Sequence, residues 1–289
     1  SGMGGYAIKV GSSFEAAMSQ VAATMGMSAE EIHNGSAEFS KLQEAAKNAG
    51  ATTKFSATQA SEGLKYMAMA GWNSQQMIAG LPGVMNLAAA SGENLGTVSD
   101  IVTDALTAMG LKASDSAHFA DVLATAASSS NTNVAMMGET FKYAAPVAGS
   151  LGYNIEDLAQ AIGLMGNAGI KSSQAGTALR SILTRLASPP KDCAEAMEKY
   201  GISIKNSDGK MKSLMEVMEN MRDSLQGLPE DEQAAAASAL GGQEAMSGLL
   251  AIVNASESDF NKLSKAIDNA SGAAPVSYTH LTLPTTSRV

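Results

Sequence analysis

Residues that start helices recur along this chain every few turns, and each is followed by apolar residues at helical spacing. Asn73-Ser74-Gln75-Gln76 sets a capping side chain three residues before an amide that can reach back to it. Ser28-Ala29-Glu30-Glu31 has the same form and leads into Ile32, Phe39 and Leu42, with a stop predicted near Asn48-Ala49-Gly50. Ser12-Ser13-Phe14-Glu15 reads as a further start, placing Phe14, Met18, Val21 and Met25 on one helical face. Asn154-Ile155-Glu156-Asp157 repeats the logic with a shorter acid, and Ser256 opens a helix carrying Phe260, Leu263 and Ile267. Short Gly/Asn/Ser turns lie between. The pattern predicts an all-α fold of roughly ten or more helices, most of three to five turns.

Composition decides what kind of helical body this is. Hydrophobic residues make up 45% of the 289, but aromatics only 4%, while Met numbers 18 and Gly 28. The expected core is therefore an Ala/Gly/Met-rich multi-helix bundle, whose small side chains permit close helix approach and whose methionines fill irregular gaps. The length allows one large domain or two smaller ones. The net charge is −9, and the few Lys and Arg are scattered. Phosphate backbones need clustered cations, so no direct nucleic-acid site is expected in these residues. A single cysteine, Cys193, excludes an internal disulfide.

Four stretches depart from the regular pattern. Gly201-Ile202-Ser203-Ile204-Lys205-Asn206-Ser207-Asp208-Gly209-Lys210-Met211 alternates and turns at Asp-Gly, which predicts a small β-hairpin near 201–213 packed on neighbouring helices. Pro189-Pro190, followed by a short helix around Ala194 to Tyr200, separates it from what precedes. The uncharged run Tyr66 to Gly92 is long enough to span a membrane, but Asn73, Gln75, Gln76, Pro82 and Asn86 interrupt it. Two buried helices joined at the Gly71–Asn73 turn explain it better. Leu64-Lys65-Tyr66 is echoed by Phe141-Lys142-Tyr143, each followed by a Gly-containing turn with Asn73 or Asn154, then by Met77, Ile78, Leu81 against Leu158, Ala161, Ile162. Ile101-Val102 and Ile182-Leu183 continue the series. This suggests an internal repeat, about 55–110 and 132–187, within a helical region 1–272; chance similarity among Ala-rich helices is the competing reading. From Pro275 the chain reads PVSYTHLTLPTTSRV, with no helical period, so 273–289 reads as a non-native tail resembling translated adapter sequence. The start, SGMGGYAIKVG, carries no secretory signal and no initial Met, as expected of a piece of something longer.

No catalytic, cofactor-binding or metal-ligating set is expected. Cys193 sits among Lys191, Asp192 and Glu195, far in sequence from any His, and there is no GxSxG elbow. His33, His118 and His280 do not pair at ligand spacing. Glu230, Asp231 and Glu232 follow Pro229 and read as the first turn of a helix rather than as a carboxylate pair for glycoside hydrolysis. Gly163-Leu164-Met165-Gly166-Asn167-Ala168-Gly169 lacks the preceding strand and the Lys-Ser/Thr ending of a phosphate loop.

The arrangement as a whole carries a resemblance. FEAAMSQVAATMG, FSKLQEAAKNAGATTKFSATQASEGLKYMAMAGW, QQMIAGLPGVMNLAAASGENLGTVSDIV, LTAMGLKASDSAHFADVLATAASSSNTNVAMMGETFKYAAPVAGSLGY and IGLMGNAGIKSSQAGTALRSILTRLASPP follow in order. This series, from about Phe14 to Ala270, is similar to the core region of the phage tail tape measure protein family. The resemblance implies a structural component of the tail, involved in tail assembly and tail-length determination, with tube subunits polymerising around it. It implies tail tube and tail tip or baseplate proteins and tail assembly chaperones as partners, and self-association; some relatives carry peptidoglycan-cleaving domains, but nothing in these residues matches one, so no cofactor and no enzyme activity are expected. It also implies a place in the tail lumen or tip of the virion, and in the host cytoplasm during assembly. A ruler needs a long rod of sustained heptads, which these residues lack, so they correspond to the compact module. The alternative is a membrane-active segment assisting DNA ejection and meeting the host membrane at infection, resting on Tyr66–Gly92 and the Gly/Ala-rich Leu158–Ile170. A lytic enzyme is the third reading.

Overall fold

The computed structural model describes residues 2–274; the expected foreign stretch 275–289, with His280, lies outside them. Among the described residues there are fifteen α-helices and two 3-10 turns, and no strand. The chain divides into two compact units. Unit 1 comprises the residues up to Leu106, Leu111–Asp121 and Gly272 onward; unit 2 comprises Thr107–Gly110 and Val122–Ser271.

Unit 1 is built from α1 (Gly2–Thr24), α2 (Ala29–His33), α3 (Ala37–Thr52), α4 (Ala57–Met69), α5 (Ser74–Ser91), the first part of α6 (Leu95–Ala108), a 3-10 turn at Ala113–Asp115 and the start of α7 (Ser116–Ser128). α4 is central, with α1, α3 and α5 against it, and α3 also packs on α5. Met18, Val21, Leu42, Leu64, Met67, Met77, Val84 and Met85 are fully buried, so Met and aliphatic side chains do form this core. α5 passes the start of α7 at Gly83, where a Cβ would collide with the backbone and hydroxyl of Ser116. The Ser116 hydroxyl donates to the Gly80 carbonyl at 3.1 Å, one turn from Pro82, whose missing N–H interrupts the helical ladder. At the far end of the unit, the Gly272 and Ala274 N–H groups donate to the Asp121 carboxylate at 2.7 and 3.0 Å.

Unit 2 contains the rest of α7, then α8 (Val134–Ser150), α9 (Ile155–Asn167), α10 (Ser172–Ala187), α11 (Lys191–Tyr200), α12 (Leu214–Leu225), α13 (Glu230–Gly241), a 3-10 turn at Gln243–Ala245, α14 (Met246–Val253) and α15 (Glu257–Asp268). α8 and α10 form its most extensive helix pair, α13 lies on α10, α11 and α14, and α9 runs beneath α14 and α15. Every residue of α9 from Asp157 to Gly166 is buried.

Most predicted starts are where the sequence puts them. Asn73, Asn154 and Ser256 cap α5, α9 and α15, accepting from the N–H groups of Gln76, Asp157 and Asp259. Ser28 and Glu31 form a complete capping box. The run Tyr66–Gly92 is divided between α4 and α5 at a turn in which Gly71 takes φ 86°, and the Trp72 N–H closes back onto the Met67 carbonyl at 3.2 Å. No described helix is long and apolar enough to cross a membrane.

Three expectations are corrected. Ser12 does not begin a helix: α1 runs through it, because Gly11 alone costs only about 1 kcal/mol inside a helix and does not end one. The helix expected from Ser28 to Gly50 is two helices, since Gly35 at φ 62° breaks it and Ser36 caps α3 anew, while Gly50 does not stop α3. The β-hairpin near 201–213 is not formed. There is one isolated antiparallel bridge, Lys205 with Met211, closed by the turn bond from the Gly209 N–H to the Asn206 carbonyl. The ladder stops there because the next inward-facing groups belong to helices: the Ile202 N–H closes α11 onto the Met197 carbonyl, and Leu214 already begins α12, while Asn220 meets outward-facing groups, accepting the Ser203 N–H at Oδ1 and donating from Nδ2 to the Gly201 carbonyl, each at 3.2 Å.

Candidate functional site

The densest polar chemistry lies inside unit 2, and it joins helix ends. Asp157 on α9 is almost fully buried, and its Oδ2 accepts the Met215 N–H, in the first turn of α12, at 2.9 Å. Arg222, near the end of α12, donates from Nη1 to the Ile252 and Val253 carbonyls at 2.7 and 3.2 Å, which are the last two of α14. Its guanidinium lies 4.4 Å from the centre of the Phe260 ring. Gln160 donates to the Phe260 carbonyl at 3.2 Å. Gln233 donates to the Leu225 carbonyl at 3.0 Å and accepts from Asn254 at 2.8 Å. Helix termini leave backbone groups without intrahelical partners, and buried side chains from other helices supply them at Met215, Leu225, Ile252 and Val253, whereas the Phe260 carbonyl lies inside α15.

The electrostatics fit that structural use. Burial pushes the Asp157 carboxyl above its ordinary range; the Met215 N–H works against this, while Glu156, Asp268 and Glu216 add to it. Burial likewise lowers the Arg222 pKa, in the absence of a directly bonded carboxylate. The sequence patterns above place Asp157 only as the capping acid of its own helix and do not single out Arg222. Arg222 did carry a signal: it falls on the stripe of Leu214, Val217, Met218, Met221 and Leu225, where a charge among buried positions asks for a partner.

The residues weighed for chemistry are not brought together. Cys193 is buried, its thiol 3.6 Å from both the Arg185 and Leu240 carbonyls, and burial pushes its pKa up, away from the reactive thiolate. His33 and His118 are both exposed, on different helices. Glu232 sits in the first turn of α13 and binds Lys199 and Tyr200 at 2.9 and 3.0 Å, and these hydrogen bonds hold its carboxyl below the usual range. Gly163 to Asn167 is the second half of α9, with no cradle of free N–H groups. Among the described residues no three His, Cys, Asp or Glu side chains converge as metal ligands. Two grooves are open to solvent. One of about 450 Å³ lies between α10 and α14 with Glu244 as its one carboxylate, and one of about 430 Å³ lies between α3 and α5 with no charged residue. What the arrangement supports is helix packing.

A helical body held by small-residue contacts and buried helix caps is a structural class of protein, and the comparisons agree. The profile of the phage-related minor tail protein family matches residues 43–242, most of the chain, and the chain belongs to that family. It is 38% identical over 273 residues to the tape measure protein of Pneumococcus phage Dp-1, covering 94% of this chain and 23% of that protein. It is 28% identical over 244 residues to the probable tape measure protein of Escherichia phage P2, covering 83% of this chain and 30% of that one. The chain thus spans less than a third of the length of these curated relatives. No solved structure matches it.

Proposed function

We propose that this chain is a compact, non-enzymatic module of a tail tape measure protein, contributing to tail assembly and tail-length determination as a structural component of the virion. The observation that supports this most is the alignment of 94% of the chain with a protein named for that role. The helices agree with it. They are short and packed crosswise on one another, unlike a sustained heptad rod, so the measuring length belongs to other residues of the parent protein. The partners of such a module are tail tube and tail tip or baseplate proteins, assembly chaperones and further copies of itself, met in the host cytoplasm during assembly. Deleting the encoding region from the parent phage and imaging tails by electron microscopy tests the reading. Absent or misassembled tails are expected; normal infectious tails would refute it. Cell-wall zymography of the purified chain is expected to show no clearing.

The module also reads as a duplication, 55–110 and 132–187. α4, α5 and α6 correspond to α8, α9 and α10. Ser56 and Asn133 cap the first helices, Tyr66 and Tyr143 each meet the start of the third helix at glycines one residue out of register, Gly96 and Gly176, and Gly71-Trp72-Asn73 and Gly152-Tyr153-Asn154 form the same turn. A Cβ on Gly96 would come within 2.9 Å of the Tyr66 ring, and one on Gly176 within 2.7 Å of the Tyr143 Cβ. α8 exceeds α4 by about one helical turn, an insertion that keeps the same faces in register.

A further inference from the structure

α2, which joins α1 to α3 in unit 1, is held differently from its neighbours. It has five residues and none of them is buried. No other helix packs extensively on it. Its two ends hold it instead. The Ser28–Glu31 capping box closes the start, with the Ser28 N–H donating to the Glu31 carboxylate at 2.7 Å. At the finish, the Asn34, Gly35 and Ser36 N–H groups donate to the Glu30, Ile32 and Glu31 carbonyls at 2.9, 3.3 and 3.0 Å, around Gly35 at φ 62°. Isolated helices shorter than about 12–15 residues are marginal in water, so caps alone leave α2 weakly formed. With no buried side chain to withdraw, it opens at little cost while α1 and α3 stay packed on α4.

Asn34-Gly35, at this joint, is the one Asn-Gly pair of the sequence. Both residues are exposed, and the nearest atom to where a Gly35 Cβ would stand is the Ser40 hydroxyl at 3.8 Å. The side-chain carbonyl carbon of an asparagine is open to attack by the backbone nitrogen of the next residue. A side chain on that next residue hinders the approach, and glycine has none. In the closed cap the Gly35 N–H is engaged by the Ile32 carbonyl, so attack waits on the opening of α2. Other asparagines are better protected. Asn73, Asn133 and Asn154 accept helix N–H groups as N-caps, Asn254 is bonded to Gln233, and none of the four precedes a glycine.

We infer that Asn34 is a site of spontaneous modification, converting to aspartate and isoaspartate, which irreversibly loosens the link between α1 and α3. The Gly35 nitrogen bonds to the Asn34 Cγ and gives its proton to solvent, while the side-chain nitrogen takes up a proton and leaves as ammonia. Water then opens the cyclic imide at either carbonyl. One opening gives an aspartyl residue; the other routes the main chain through the side-chain carbon. No electrons are exchanged, and water is the only co-reactant. Both products set a negative charge at the C-terminal end of α2, where the helix dipole is also negative. The isoaspartyl product adds a methylene to the main chain and so moves the Gly35 and Ser36 N–H groups off the Ile32 and Glu31 carbonyls. The cap that held α2 is then lost.

The test incubates the purified full chain at mildly alkaline pH beside a free peptide of residues 29–39. Both are sampled over time by peptide-mapping mass spectrometry, with enzymatic methylation of isoaspartate as a second readout. Conversion at Asn34 is expected to outpace that at every other asparagine, at a rate within roughly tenfold of the peptide's, because α2 opens readily. Amide exchange followed by NMR should then be faster at Gly35 and Ser36 and unchanged at Leu42 and Leu64. An Asn34→Gln chain should show neither change. Conversion at Asn34 no faster than elsewhere, or slower than the tenfold limit, overturns the inference, since the cap would then be holding. Unchanged exchange at Gly35 and Ser36 after conversion overturns it as well.

Discussion

The two units bury different kinds of polar group. Unit 1 buries hydroxyls: Ser61, Ser99, Thr103 and Ser116. Ser61 and Thr103 donate to carbonyls one turn back in their own helices, at 2.9 and 2.8 Å, and Ser116 reaches across to α5. Unit 2 buries one hydroxyl, Thr140, together with a carboxylate, a guanidinium and two amides, whose partners lie between eight positions away, for Gln233 and Leu225, and one hundred, for Gln160 and Phe260. A hydroxyl that bonds its own helix constrains nothing beyond that helix. A buried charge or amide that caps another helix fixes where that helix ends and how it lies. Unit 1 is therefore held mainly by shape, at places such as Gly83 against Ser116, with few cross-helix contacts from its buried polar groups, such as Ser61 to the Met18 sulfur and Ser116 to the Gly80 carbonyl, whereas in unit 2 buried charged and amide groups make most such contacts.

The largest test of that difference is Arg222→Ala. It leaves two buried carbonyls without their donor and opens a space beside Phe260, so a loss of about 3 kcal/mol is expected in denaturant unfolding followed by far-UV circular dichroism. A loss well under 1 kcal/mol would show that shape alone suffices in unit 2 as well. The paired tyrosine–glycine contacts sharpen the comparison at the next scale. Gly176→Ala sets a methyl against the Tyr143 Cβ and the Thr140 carbonyl, neither of which can swing away, and should cost about 2–3 kcal/mol. Gly96→Ala meets only the ring of half-exposed Tyr66, which can turn outward, and should cost about 1 kcal/mol or less. Trp72, the single tryptophan, lies in unit 1 and reports the latter by its fluorescence. Gly71→Ala and Gly152→Ala should each cost about 1 kcal/mol and by equal amounts, as both sit at positive φ with open space around the missing Cβ.

The smallest expected effect is that of Asp157→Asn, and its sign depends on pH. The folded-state carboxyl titrates above the unfolded value, so protonation favours folding. Its stabilising contribution is full below the unfolded pKa and is lost as pH rises through the folded one. Ionisation as pH rises places a buried negative charge near Glu156, Asp268 and Glu216. The amide keeps a carbonyl for the Met215 N–H and removes that charge. Asp157→Asn should raise the denaturation midpoint at neutral pH, with the gain shrinking toward about pH 4. A lower midpoint at both pH values would mean that the carboxylate charge is needed at the start of α12.

Much of the fold could be read from single residues because the signals were local. Asn73, Asn154 and Ser256 act within one turn, so their sequence spacing is also their geometry. The same locality explains the misreadings. Ser12 has the spacing of a cap, yet nothing upstream ended the helix, and 201–213 has a strand-like alternation whose ladder stops where α11 and α12 claim Ile202 and Leu214. The order of segments from Phe14 to Ala270 was legible too, because it is a property of the sequence itself, and the match of residues 43–242 to the phage-related minor tail protein family agrees with it.

By itself, then, the sequence determined the helical class, the helix starts at Ser28, Asn73, Asn154 and Ser256, the division of Tyr66–Gly92 and the small-residue character of the core, because each follows from residues within a few turns of one another. Only the tertiary structure decided which helices share a core, that Arg222 and Asp157 cap helices other than their own, and that α15 lies on α9. Those outcomes depend on pairs far apart in sequence, such as Gln160 with Phe260, and no local periodicity specifies such a meeting.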